Sequence, residues 1–279
     1  MRKPDSPTAV AIAALANVEL VTGDFDNEES VESALKGVSR ALLVSGAGQH
    51  EQFDRETFFI AAAERAGLEF VVRVSTASVL IHPGSTGVYA RAHAGIEAFI
   101  EYNNSPVIDL NPNWFFDNIL SSAGEAKATG QITYPIDGSA QSAFIDPRDV
   151  GRAAGHILLL SLDAAAPLLA QRKIEVHGPA LTSLNEQLEV LSAVVGYPIK
   201  INKIDGDAWA NILIGYGASK LFARSFLATI QILGGERKPT RPPVQVTSEV
   251  LTSTGWAPKY DIHAWAQSEH VLAAFKKNE

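Results

Sequence analysis

The sequence predicts an α/β fold, a doubly wound parallel sheet followed by a smaller, mostly helical region. Strand-like and helix-like segments alternate through the first 160 residues, the pattern of parallel strands joined by helical crossovers. One of the strand segments, "RALLVSG" (40–46), is a continuous apolar run, as expected for a strand buried on both faces. After residue 160 the alternation fades into helix-rich sequence. The expected division is therefore 1–160 for the sheet and 161–279 for the helical region.

The elements follow in order. "MRKPDSPTAV" reads as a loop leaving a strand. "NVELVTGD" (17–24) reads as a strand ending in a turn. "DNEESVESALKG" (26–37) is a helix with acidic residues in its first turn and Gly37 at its end. Strand 40–46 precedes "HEQFDRETFFIAAAERAG" (50–67), a helix stopped by Gly67. "EFVVRVSTAS" (69–78) is a strand and "VYARAHAGIEAFIEYN" (88–103) a helix with apolar Ile96, Phe99 and Ile100. "PVIDLNPNWF" (106–115) is a strand broken by Pro112. Further on, "KIEVHGP" (173–179) reads as another strand, and Ser183 and Glu186 have capping-box spacing at the start of a helix over 183–196. A helix follows around 206–234, then the Gly/Pro/charge-rich loop 234–243 and a mostly helical tail over 247–277.

Composition excludes several function classes. Of the 279 residues, 46% are hydrophobic and 19% charged, enough for a sizeable core in one large domain or two small ones. The net charge is −8, and no Lys/Arg cluster exceeds a pair, which argues against a nucleic-acid surface. Without cysteine, disulfides, Cys-ligated zinc and thiol nucleophiles are impossible. The seven histidines are scattered, with no HExxH or paired-carboxylate spacing, so no metal site is expected. No apolar run reaches the length of a membrane span, and none resembles a signal peptide. A soluble, cytoplasmic protein is expected, with no membrane partner.

Four stretches in order, "LVTGDFDNEESVESALKGVSRALLV", "RVSTAS" with "HAGIEAFIE", "NPNWFFDNIL" and "FIDPRDVGRAAGHILL", resemble the NmrA-like branch of the atypical short-chain dehydrogenases. The resemblance covers about residues 1–200. It implies a Rossmann-like NAD(P)-binding-type domain over 1–160 and a substrate-covering region over 161–279. In such proteins a strand, a Gly-rich turn, a helix and a second strand, roughly 30 residues, precede the point matched by Arg2 and Lys3. These 279 residues contain no Gly-x-Gly-x-x-Gly, so the Rossmann-like sheet is expected to be N-terminally truncated. The stretch 17–22 should then pair directly with 40–45 or be displaced.

The same resemblance marks a site. Arg2 and Lys3 match the place where NADP-preferring relatives hold the 2′-phosphate, or else form a charged terminus. Gly46 and Gly48 in "SGAGQH" (45–50) lie after a strand and before a helix, in a loop that lies beside the cofactor in the family. Ser75 and Thr76 end a strand, and Tyr89 and His93 follow at i, i+4 spacing on one helix face. In the wider family a Tyr is the proton donor and a Lys stands where His93 stands here. Tyr89 and His93 also read as surface residues. The family's loop at "NPNWFFDN" (111–118) passes under the nicotinamide, which makes Asn113 a cofactor contact. Trp114, Phe115 and Asn118 would line the substrate pocket with Trp209, although buried aromatics are more often core. Asp146, before Pro147, reads as a helix N-cap.

The function implied is an NAD(P)-dependent oxidoreductase acting on a small organic molecule, of the kind found in secondary metabolism. NADP(H) is the expected cofactor, with weak or absent binding because the Gly-rich turn is missing. Two alternatives stay open: a cofactor-independent isomerase, cyclase or lyase using acid–base residues of the same pocket, and a non-enzymatic regulator that binds a protein. A homodimer is also left open.

Overall fold

The computed structural model describes residues 2–46, 51–239 and 242–277. Residues 2–6 form a loop, but the rest of the predicted opening loop is instead a short helix, α1 (Pro7–Ala13). The Ser6 side chain accepts from the Ala9 N–H, and Pro7 occupies the first helical position, where a missing N–H costs nothing. A second correction concerns 17–24, which form no strand. Val18 and Val21 are 39% and 45% exposed there. A strand needs a neighbour for its backbone groups, and of the two expected alternatives direct pairing with 40–45 is not met, because that strand pairs only with the strand Phe70–Val74 among the described residues. Helix α2 (Glu28–Ala34) follows, with Asn27 accepting from the Ser30 N–H and Glu28 and Glu29 in the first turn.

The sheet is built by β1 (Arg40–Leu43), α3 (Gln52–Arg65), β2 (Phe70–Val74), α4 (Val88–Asn103) and β3 (Val107–Pro112). Pro112 ends β3 rather than breaking it, opposite Val176. The chain then leaves through α5 (Ala123–Thr129), β4 (Gln131–Tyr134) and β5 (Gln141–Ser142). It returns through α6 (Pro147–Leu159) and α7 (Leu162–Gln171) to β6 (Lys173–Val176). Strand order is β1-β2-β3-β6, all parallel. Alternate side chains point to opposite faces. Val71 and Val107 pack with Ile60 of α3 and with Ile96 and Ile100 of α4. Val72, Ile108 and Leu110 pack with Ala153 and Ile157 of α6 and Leu168 of α7. Asp146 caps α6 as predicted, its carboxylate accepting from the Arg148 N–H.

The helical layer begins with β7 (Thr182–Ser183), antiparallel to β5, and α8 (Leu184–Val195), which carries the expected Ser183–Glu186 capping box. Strand β8 (Lys200–Lys203) pairs with β4. The single helix expected over 206–234 is two, α9 (Gly206–Gly215) and α10 (Lys220–Leu233). Gly217, at φ +94°, turns the chain between them, and Ser219 caps the second. Three short helices end the chain: α11 (Glu249–Thr252), α12 (Ile262–Ala266) and α13 (Glu269–Phe275).

The two layers interleave across residue 160. The helical core takes Phe116, Ile132 and Phe144 from before it. The sheet takes Leu168, Ile174 and Trp256 from after it. Gly178 lies where they meet: a Cβ there would sit 1.8 Å from the Phe144 carbonyl oxygen. No helix among the described residues is long and apolar enough to cross a membrane.

Candidate active site

Parallel strands bring their C-terminal ends to one edge of the sheet, where loops converge into a crevice. Here the segments after β2 and β3 meet α4 and α10 around a cavity of about 150 Å³. Ser75, Thr76, Tyr89, Asn113, Trp114, Phe115 and Asn118 line it. Residues far apart in sequence thus converge on one cavity. The opposite wall, Phe226, Thr229, Ile230 and Leu233 of α10, carried no signal of its own in the sequence, because a cavity-lining helix reads like any amphipathic helix.

The Tyr89 hydroxyl donates to Thr229 Oγ1 at 3.2 Å, and the Thr76 side chain is also hydrogen-bonded to it. Burial pushes the phenol up to about 12, with Thr229 and Thr76 pulling the other way. Tyr89 therefore keeps its proton at neutral pH. Trp114 stacks on Phe144, with centroids 5.3 Å apart, and closes the cavity toward the helical core.

His93 does not line the cavity. Its ring meets Tyr89 edge-on, 6.4 Å between centroids, and is only 4% exposed. Arg73 Nη2 approaches His93 Nδ1 at 2.5 Å, and Ser75 Oγ lies 3.3 Å from the same nitrogen. A guanidinium only donates, so Nδ1 accepts and the neutral ring carries its proton on Nε2. The Gln52 amide nitrogen lies 3.2 Å from that Nε2, and the Gln52 carbonyl oxygen is buried without a hydrogen-bond partner. Burial first, and the Arg73 charge second, hold the imidazole well below its ordinary value. His93 is thus a neutral group behind Ser75.

The network around it is fully buried. Arg73 pairs with Glu56 and, at 2.7 Å, with Asp109. Glu56 also accepts from Ser45 and from Gln52 Nε2 at 2.9 Å. Sequence reasoning missed these residues, although a signal existed. "FVVRV" and "VIDL" each hold one charge in an apolar strand, of opposite sign, and Arg73 and Asp109 are direct neighbours in the β2–β3 register.

Across the network, a cavity of about 290 Å³ is lined by Arg2, Asp24, Phe25, Ser45, Gly46, Gln52 and Arg55. Arg2 and Gly46 therefore come together. Lys3 is exposed and outside its lining. Gly48 lies outside the described residues. Arg55 is engaged by Asp26 at 2.5 Å. Asn113 lies at the other cavity, and Trp209 is packed in the helical core with its Nε1 donating to the Thr133 carbonyl at 3.1 Å. Among the described residues, no group of His, Cys, Asp or Glu side chains is arranged to hold a metal.

Comparison with known proteins adds relatives. A (4-alkanoyl-5-oxo-2,5-dihydrofuran-3-yl)methyl phosphate reductase of Streptomyces griseus is 27% identical over 256 residues, covering 92% of this chain and 84% of that protein. Quinone oxidoreductase 2 of Escherichia coli is 24% identical over 154 residues, and the match spans about half of each protein (55% of this chain and 52% of that one). In fold, the chain is similar to the Citrobacter sp. triphenylmethane reductase complexed with NADP(H), with TM-score 0.69, 18% identity, and coverage of 96% and 88% of the two chains. It is also similar to NmrA, a negative transcriptional regulator, with TM-score 0.74, 14% identity, and coverage of 98% and 87%. The sequence profile of the NmrA-like family matches residues 1–239, and the chain belongs to that family.

Proposed function

We propose that the protein is an NADPH-dependent reductase of a small carbonyl or quinone compound. The observation that carries this is the cavity in which the Tyr89 hydroxyl, Ser75 and Thr76 line one wall and Trp114 and Phe115 another. The reductase names of the Streptomyces and E. coli relatives support it.

The residues present fit one end of a dinucleotide. Arg2 and Gly46, beside Asp24 and Ser45, would hold its phosphate–ribose end: a cation for the anion, a glycine for close approach and acceptors for hydroxyls. When bound, such a cofactor supplies a hydride. The protein's own contribution is local. Thr229 and Thr76 orient the Tyr89 hydroxyl, and its raised pKa keeps the proton on the phenol until the substrate oxygen has gained enough negative charge to take it. Ser75 offers a second hydroxyl, held from behind by the neutral His93. Trp114 and Phe115 exclude water, which strengthens both hydrogen bonds. The second reading is a cofactor-free isomerase or lyase, which would use the same Tyr89 and Ser75 hydroxyls of this pocket.

The test is calorimetric titration with NADPH and NADH, together with NADPH oxidation in the presence of quinones and aldehydes. Turnover that falls roughly a hundredfold to ten-thousandfold in Tyr89→Phe, with unchanged folding, supports the reductase. Absence of both binding and oxidation overturns it in favour of the cofactor-free reading.

A further inference from the structure

A second chamber, of about 170 Å³, lies beside the Tyr89 cavity and shares Ala77, Asn113 and Leu233 with it. Its walls are mainly apolar, with Val79, Ile232, Pro243 and Val244 among them. One corner is polar and fully organised. Asn113 Nδ2 donates to His177 Nδ1 at 3.0 Å and to Gln245 Oε1 at 3.1 Å. Because an amide N–H only donates, His177 Nδ1 accepts and the neutral ring's proton sits on Nε2, 3.3 Å from Glu175 Oε2. The Glu175 side chain keeps 16% exposure at the chamber wall, with the buried His177 behind it. Gln245 Oε1 also accepts from the Ala143 N–H at 2.8 Å, which pins the outer wall formed by 243–245.

We propose that this chamber binds a neutral alkyl arm carried by the ring that occupies the Tyr89 cavity, and that the Glu175 carboxylate excludes arms ending in an anion. Placing the ring's oxygen at Tyr89 rests on the reductase reading; the chamber itself does not. At ~30 Å³ for a water-sized group, close to the size of a methylene, 170 Å³ holds five or six carbons. Longer arms must project into solvent. His177 is the positioning group: its Nε2–H holds Glu175 against the wall, and Asn113 joins that corner to the catalytic cavity.

The experiment is calorimetric binding of para-alkylphenols, from methyl to octyl, to the full chain without nucleotide. The phenol stands in for a reduced ring. Burial predicts about a fourfold gain in affinity per methylene, up to pentyl or hexyl, and then a plateau. Val244→Trp, at a position 40% exposed, should fill the chamber and bring the plateau to a shorter arm. The hexyl compound ending in a carboxylate should bind at least about tenfold more weakly than its terminal alcohol, and Glu175→Gln should narrow that gap. Affinity independent of chain length, a rise that continues evenly to octyl, or equal binding of carboxylate and alcohol would each overturn the proposal. NADPH oxidation judges the reductase separately. A chain-length plateau without turnover keeps the chamber and removes the reductase; turnover with a flat series does the reverse.

Discussion

Mild acid should destabilise this protein through one buried imidazole. His93 is 4% exposed, and burial, followed by Arg73, holds its pKa well below 6.5. In the unfolded chain the same ring takes a proton near its ordinary value of about 6.5. Below that pH the unfolded state binds the proton and the folded state does not, so stability falls as pH falls. The slope approaches about 1.4 kcal/mol per pH unit, or about 2 kcal/mol between about pH 6.5 and about pH 5. For a chain of this size each kcal/mol shifts Tm by roughly 2–4 °C, giving roughly 4–8 °C from this residue. The assay is thermal unfolding by circular dichroism across that range for wild type and His93→Gln, which cannot titrate. The variant loses ring contacts and starts less stable, so the informative quantity is the gap between the two curves. That gap should shrink by about 2 kcal/mol as the pH is lowered. Parallel curves would refute the reasoning and mean that His93 already exchanges its proton freely with solvent.

Three further outcomes follow from packing. Arg73→Met leaves the Glu56 and Asp109 carboxylates buried without their cation and should cost about 3–5 kcal/mol in urea unfolding; a loss below about 1 kcal/mol would show that the network is solvated. Gly178→Ala forces a methyl to within 1.8 Å of the Phe144 oxygen, so the loss should exceed the ~1–3 kcal/mol of ordinary overpacking, and a soluble variant with wild-type Tm would contradict this close approach. Asp146→Ala removes the cap of α6 together with the Arg148 ion pair at 2.6 Å; a loss of about 1 kcal/mol is expected in the same unfolding assay, and an unchanged midpoint would show that water caps the helix equally well.

The parts of the site that could be read in advance were those tied to strand ends. Ser75 and Thr76 follow an apolar strand and Asn113 follows another, so a parallel sheet necessarily brings them to one edge. Tyr89 opens a helix whose first turn returns over that edge. His93 shows the limit of spacing arguments. Four residues along a helix place two side chains on one face, yet the face turns gradually, and its second member lies under Arg73 rather than at the cavity. Trp209 shows the same limit for composition: an aromatic suits a substrate pocket and a core equally, and here it packs against Tyr134 and Phe226 in the core.

The sequence by itself determined the local elements whose causes are local. Asn27, Asp146 and Ser183 cap their helices, apolar runs form the buried strands, and Gly67 ends α3 with its φ at +77°. Its alternation of strand and helix determined a parallel sheet, because crossovers of that length have few other solutions. Only the tertiary structure decided that 17–24 form no strand, since a strand exists through its neighbour. It also decided that α10 walls the Tyr89 cavity, and that Arg73, Glu56, Asp109, Gln52 and His93 form one buried network. The reason is physical: a charge or a helix face leaves water only when a distant segment supplies its partner, and that partner's position is set by packing, not by spacing along the chain.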